Sequence, residues 1–143
     1  DMKQCGAGPW LVQGTAINLT MKGAATVPVA GRGARTVSAR VSAGDGSAGG
    51  FVLGDGEISV MLHGDGRLVA TTTAPAGERV WEVGSEGELA LALVDRHAEV
   101  YFDRRYIGTV CALAFGDKQA ALRTDGDGAC EIGEVGVRPI PLT

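Results

Sequence analysis

The sequence predicts an all-β domain on three observations: apolar and polar residues alternate, turn chemistry recurs every ten residues, and no helical period is sustained. In Ile17-Asn18-Leu19-Thr20-Met21-Lys22 the odd positions are apolar and the even ones polar. Val37, Ala39 and Val41 share one face of a second such segment. Ile58, Val60 and Leu62 oppose Glu57, Ser59 and His63 in a third. A period of two sends successive side chains to opposite faces. One apolar and one polar face mark an antiparallel sheet buried on one side.

Gly-Asp-Gly stands at Gly44-Asp45-Gly46, Gly54-Asp55-Gly56 and Gly64-Asp65-Gly66. Asp-Gly suits a type I′ hairpin turn, whose two central residues both need positive φ. Ten-residue spacing leaves strands of roughly five to eight residues, and about ten to twelve strands along the chain. The spacing also invites comparison with calcium-binding nonapeptide repeats, but the period is wrong and the intervening segments do not match one another. Hairpin turns are the better reading. Pro9, Pro28 and Pro75 fall at or beside loops, and Pro139 and Pro141 in the tail, where a missing donor does little harm. No linker divides the chain, so residues 1–143 read as one β-sandwich or barrel. It begins Asp1-Met2 without a leader pattern, as a mature product or a domain cut from a larger protein would.

Composition narrows the function. At 143 residues, folding buries roughly two-thirds of the extended-chain surface, enough for a core without staples. Gly is abundant, 23 residues, without a collagen-like period. A net charge of -4 and no dense Lys/Arg stripe argue against nucleic acid. No apolar run nears the roughly 18 residues of a membrane-spanning helix. Cys5, Cys111 and Cys130 show no zinc spacing. The preferred reading is one disulfide, in any of its pairings, plus one buried thiol, with three reduced core cysteines as the rival.

The most informative stretch runs from Glu88 to Val110. Leu89, Leu91 and Leu93 share one strand face, with Ala90, Ala92 and Val94 on the other. After Asp95-Arg96, Ala98, Val100 and Phe102 line up against His97, Glu99, Tyr101 and Asp103. A tight turn around Asp103-Arg104 then leads into Tyr106-Ile107-Gly108-Thr109-Val110.

Ala98-Glu99-Val100-Tyr101-Phe102-Asp103 followed by Arg105-Tyr106-Ile107-Gly108-Thr109 resembles the late hairpin of concanavalin A-like sandwich domains. That group includes laminin G-like domains, carbohydrate-binding modules and sandwiches appended to glycoside hydrolases. Ala120 to Gly126 resembles the strand that follows, and Glu131 to Val137 the closing strand. The resemblance covers the last third of the chain and implies a two-sheet antiparallel jelly-roll sandwich. Arg104 departs from it by standing where a turn glycine is usual, which points to a longer turn.

No catalytic constellation accompanies the hairpin. Glycosidic hydrolysis usually needs two carboxylates about 5 to 9.5 Å apart. Glu82, Glu86 and Glu88 come nearest, but Gly84 and Gly87 interrupt them. His63 and His97 meet no nucleophile elbow, and Cys111, in an apolar strand, reads as core. A non-enzyme is expected.

Binding has a better candidate. If Asp103-Arg104 closes a two-residue loop, Tyr101 faces Tyr106 across the hairpin and shares a face with Glu99 and Gly108. Two rings beside a carboxylate make a sugar-stacking platform, bordered by His97, Arg104 and Arg105. The plainer reading is that the tyrosines merely cover the outer sheet. Trp10 and Trp81 read as partly buried or as a ligand rim. No cofactor is required; structural calcium at Asp125 and Asp127, or at Asp45 and Asp55, is the one candidate. Asn18-Leu19-Thr20 fits a glycosylation sequon.

The leading expectation is a non-catalytic glycan-recognition module of an exported or cell-surface protein. The second is a protein-interaction or structural ectodomain, or an assembly domain forming homo-oligomers. The third is a small glycoside hydrolase with an unrecognised carboxylate pair, Glu99 and Glu134 being the side chains to test.

Overall fold

The computed structural model describes residues 19–22, 25–29, 31, 33–54, 56–73, 76–94, 97–111 and 119–140. Cys5, Trp10, Asn18 and Asp55 lie outside them. Twelve strands are described: β1 (Leu19–Lys22), β2 (Ala25–Val29), β3 (Arg35–Ala43), β4 (Ser47–Leu53), β5 (Ile58–His63), β6 (Arg67–Thr73), β7 (Ala76–Glu82), β8 (Glu86–Val94), β9 (His97–Phe102), β10 (Arg105–Cys111), β11 (Ala120–Gly126) and β12 (Ala129–Pro139).

They form two six-stranded sheets, ordered β1-β12-β3-β8-β9-β10 and β2-β11-β4-β5-β6-β7. Every neighbouring pair is antiparallel. The chain crosses from the first sheet to the second between β3 and β4, and winds through β5, β6 and β7. It returns to the first sheet at β8, runs through β9 and β10, then crosses over to β11 and back to β12. This is a jelly-roll sandwich, as the C-terminal resemblance implies.

The alternation seen in the sequence determines which side of each strand is buried. Val37, Ala39 and Val41 of β3, Leu89, Leu91 and Leu93 of β8, and Ala98 and Val100 of β9 face inward from the first sheet. Phe51 and Leu53, Ile58, Val60 and Leu62, and Leu68 meet them from the second. Each large side chain fully removed from water contributes about 1.5–3 kcal/mol, so this layer is the chief source of stability.

Three expectations need correction. The Gly44-Asp45-Gly46 turn is not a hairpin: β3 and β4 belong to different sheets, so it is a corner between layers. Nor are this turn and the Gly64 one type I′. Gly46 (φ 74°) and Gly66 (φ 90°) carry the positive dihedrals, while Asp45 and Asp65 do not. The Gly66 N–H closes the second turn on the His63 carbonyl at 2.9 Å. The cysteines also differ from the preferred reading. Cys111 and Cys130 are free thiols, because their side chains leave opposite faces of the first sheet. Cys130 is buried in the core, and burial pushes its thiol up to about 11. Cys111 is exposed rather than core, since Val110 beside it takes the inward position.

Candidate functional site

The sandwich presents the β9–β10 hairpin at one side of the first sheet, where β10 is the edge strand. Its turn has two residues: Phe102 pairs with Arg105 and Tyr101 with Tyr106. Asp103 (φ 50°) and Arg104 (φ 67°) both adopt positive φ, the type I′ geometry whose twist matches the flanking strands. The longer turn expected from Arg104 is therefore not used. Asp103 compensates in part, because its Oδ1 accepts the Glu88 N–H at 2.9 Å while its own N–H donates to the Glu88 carbonyl at 2.8 Å. Arg104 Nε reaches Glu88 Oε1 at 3.4 Å in a solvent-exposed pair of little energetic weight.

Because opposed residues point the same way, both tyrosines emerge on the outer face, away from Val100 and Phe102. Their rings meet edge to face, with centroids 5.7 Å apart and planes at 66°. That geometry matches the attraction of a ring's positive edge for its neighbour's negative face. Tyr106 is 57% exposed and Tyr101 half-buried. The Tyr101 hydroxyl donates to Glu99 Oε1 at 3.2 Å, and the Tyr106 hydroxyl shares a 2.6 Å hydrogen bond with Thr109 Oγ1. Partial desolvation raises the Tyr101 phenol above its ordinary value, and the Glu99 carboxylate adds to the shift.

The register changes the rest of the expected site. A bulge between Tyr106 and Gly108 makes Ile107 an extra residue, so Gly108 pairs with Val100 and faces inward. A Cβ at Gly108 would collide with the Trp81 ring, so Gly108 is a packing site and not part of the platform. Thr109, opposite Glu99, takes its place on the outer face. Arg105 opposes the inward-facing Phe102, which turns it away from the tyrosines, so it does not border them. His97 shares the face but stands opposite Cys111, about 13 Å of strand from Tyr101. The structure brings together Tyr101, Tyr106, Glu99 and Thr109, with Arg104 beside them in the turn. Finding Thr109 from sequence would have required foreknowledge of the bulge.

Ala90 of β8 pairs with Tyr101 and Ala92 with Glu99, while Ser38 and Thr36 of β3 follow on the same face. Small side chains thus leave a shallow floor beside the tyrosine ridge. At the sheet edge, Trp81 is half-buried against the core rather than at the tyrosine rim. The Arg79 guanidinium lies 5.0 Å from its ring centre and donates to the Thr109 carbonyl at 3.0 Å, clasping β7 to β10.

Glu82, Glu86 and Glu88 do not share one strand face. Glu82 belongs to the second sheet, whereas Glu86 and Glu88 belong to the first and pair with Arg40 and Arg104. Among the described residues no three His, Cys, Asp or Glu side chains converge to hold a metal ion, and Asp125 is occupied by Arg123. No described helix is long and apolar enough to cross a membrane.

No protein-family profile and no curated protein sequence matches this chain. Solved structures do match its fold. The carbohydrate-binding module CBM66 from Bacillus subtilis superposes with a TM-score of 0.65 at 14% identity, over 90% of this chain and 94% of its own. Sheep galectin-11 gives 0.59 at 14% identity, over 82% of this chain and 98% of its own. The fructosyltransferase from A. japonicus gives 0.71 at 17% identity over 92% of this chain, which spans only 27% of that enzyme. A lichenase from a mouse hindgut metagenome gives 0.65 at 10% identity, over 87% of this chain and 80% of its own. The fold is that of the concanavalin A-like jelly rolls.

Proposed function

We propose that this protein is a non-catalytic carbohydrate-binding module that engages a glycan on the outer face of its first sheet. One observation carries the reading: Tyr101 and Tyr106 stand edge to face on that surface, held by a two-residue turn, with a carboxylate attached. A pyranose or furanose ring has an apolar face that stacks on an aromatic ring and hydroxyls that need acceptors. Glu99 and Thr109 place oxygens beside the rings, and Ala90 and Ala92 leave room for the next sugar. Fold similarity to a carbohydrate-binding module and a galectin supports the same reading. Export or surface display as part of a larger protein accords with such a role.

Affinity electrophoresis against a panel of neutral polysaccharides tests the proposal. The wild-type protein is expected to be retarded by at least one of them, and Tyr106→Ala and Tyr101→Ala to weaken the retardation at least tenfold. No retardation by any polysaccharide, or unchanged binding in both variants, would overturn it. Reducing-sugar release by the wild type that is abolished in Glu99→Gln would make the protein a hydrolase instead.

A further inference from the structure

A second polar surface lies on the opposite sheet, at the end of the sandwich where the inter-sheet corners meet. The Gly44 N–H donates to the Ala129 carbonyl at 3.1 Å, the Asp127 N–H to Gly46 at 3.1 Å, and the Gly64 N–H to Ser47 at 3.0 Å. The buried Ser47 hydroxyl ties the same turns together, its single proton shared between the Gly44 carbonyl at 2.7 Å and the Ala129 carbonyl at 3.1 Å. Backbone meets backbone so closely that a Cβ at Gly64 would strike the Gly44 carbonyl, and one at Gly126 the Gly46 carbonyl. The result is a floor built mainly of backbone.

Above this floor opens a cleft of about 350 Å³, lined by His63, Asp65, Asp125 and the buried Ala48. Register explains the grouping: Ala48 pairs with His63 on one side and Asp125 on the other, so all three point outward together. Each carboxylate is fixed by an arginine. Arg123 donates to both oxygens of Asp125 at 3.1 Å, and Arg67 Nε to Asp65 Oδ2 at 2.9 Å. The Arg67 backbone N–H holds the other Asp65 oxygen at 3.1 Å and is the leading cause that keeps this carboxyl below its usual range.

Two features select the ligand class. The two ion pairs carry no net charge, so the cleft offers little attraction to an isolated anion or cation. The Asp65 and Asp125 carboxylates nonetheless keep spare acceptor lone pairs, and the His63 ring beside them adds a ring N–H donor and a nitrogen acceptor, which suits adjacent hydroxyls that donate and accept in turn. We propose that this cleft is a second binding site, for the vicinal hydroxyls of a neutral sugar, on the sheet opposite the tyrosine platform. The inference rests on the carbohydrate-binding reading and extends it to a two-sited module. Two sites on opposite faces would let one domain bridge neighbouring chains of a polysaccharide.

Amide chemical-shift mapping by NMR separates the possibilities, with lactose, laminaritriose and sucrose as probes. At least one sugar is expected to shift the amides of residues 46–48, 63–65 and 125–126. Asp125→Asn and His63→Ala, read separately in case one perturbs folding, should each weaken that response at least tenfold, while Tyr106→Ala leaves it unchanged. Shifts confined to residues 99–109 would overturn the second site and leave the tyrosine site standing. Shifts confined to the cleft would do the reverse, and shifts at neither place would overturn both. If calcium chloride alone shifts the cleft amides, the neutral-sugar assignment is wrong.

Discussion

The β9–β10 hairpin and the turn cluster beneath the cleft are both built from tight turns, yet they reach rigidity by opposite means. The hairpin has no glycine in its turn and accepts positive φ at Asp103 and Arg104, stabilised by local bonds to Glu88 and by a cross-strand tyrosine pair. The turn cluster depends on glycine: Gly44, Gly64, Gly126 and Gly128 let separate segments touch through their backbones, and Gly46 supplies a positive φ of 74°. A local device tolerates substitution, because only its own strain and partners change. A device assembled from distant segments does not, because one added methyl group pushes whole turns apart.

That contrast predicts the largest effect at Gly126, which combines φ of 90° with backbone contact against Gly46. Gly126→Ala is expected to cost about 2–4 kcal/mol, from the left-handed backbone and the overpacking together, read as a lowered midpoint in urea denaturation. Equal tolerance at Gly126 and in the hairpin turn would break the comparison.

Cys130, in the core next to Ala129 of the turn cluster, gives a pH test of comparable size. Its folded pKa lies near 11, above the ordinary value of 9.0, so the neutral thiol is favoured in the folded state. The associated stability is complete below pH 9 and is lost as pH rises toward 11, by up to about 2.7 kcal/mol. Denaturation at pH 8 and pH 11 should show this loss in excess of that in Cys130→Ala. Thiol-labelling of the native protein should proceed at exposed Cys111 and spare Cys130 until unfolding.

Ser47→Ala removes the hydroxyl whose single proton is shared between two corner carbonyls and should cost about 1–2 kcal/mol. In the hairpin the sign reverses. Arg104→Gly relieves a positive φ and gives up only an exposed ion pair, so a gain of about 0.5–1 kcal/mol is expected in the same assay. The smallest effect is the coupling between Tyr101 and Tyr106, about 0.2–1 kcal/mol in a double-mutant cycle. A coupling near zero, combined with strong loss of glycan binding in each single variant, would sharpen the reading of this pair as a ligand surface rather than a structural clasp.

The difference between the two regions also governs what could be read from sequence. The tyrosine pair was legible because four residues separate the rings, and a two-residue turn leaves a single register in which they meet. The bulge at Ile107 was not legible: nothing in Tyr106-Ile107-Gly108 shows that Trp81, more than twenty residues earlier, occupies the space a side chain at Gly108 would need. It moved Gly108 inward and Thr109 outward. Arg105 was misplaced for a simpler reason. It directly follows the turn opposite Phe102, so it shares that residue's face rather than the tyrosines'. The Gly-Asp-Gly turns were correctly placed as turns, but hairpin and corner use the same residues and differ only in which strands pair afterwards.

By itself, the sequence determined the all-β class, the strands with their inward faces, and the tyrosine hairpin, because a period of two and a short turn are local properties of the chain. Only the tertiary structure decided which strands share a sheet, the fate of the cysteines, and the meeting of His63, Asp65 and Asp125. Those depend on contacts between segments far apart in the chain, as the Leu19–Ile132 pairing of β1 with β12 and the Ser47–Ala129 bond are, and the energy that selects them comes from close packing and shared backbone hydrogen bonds.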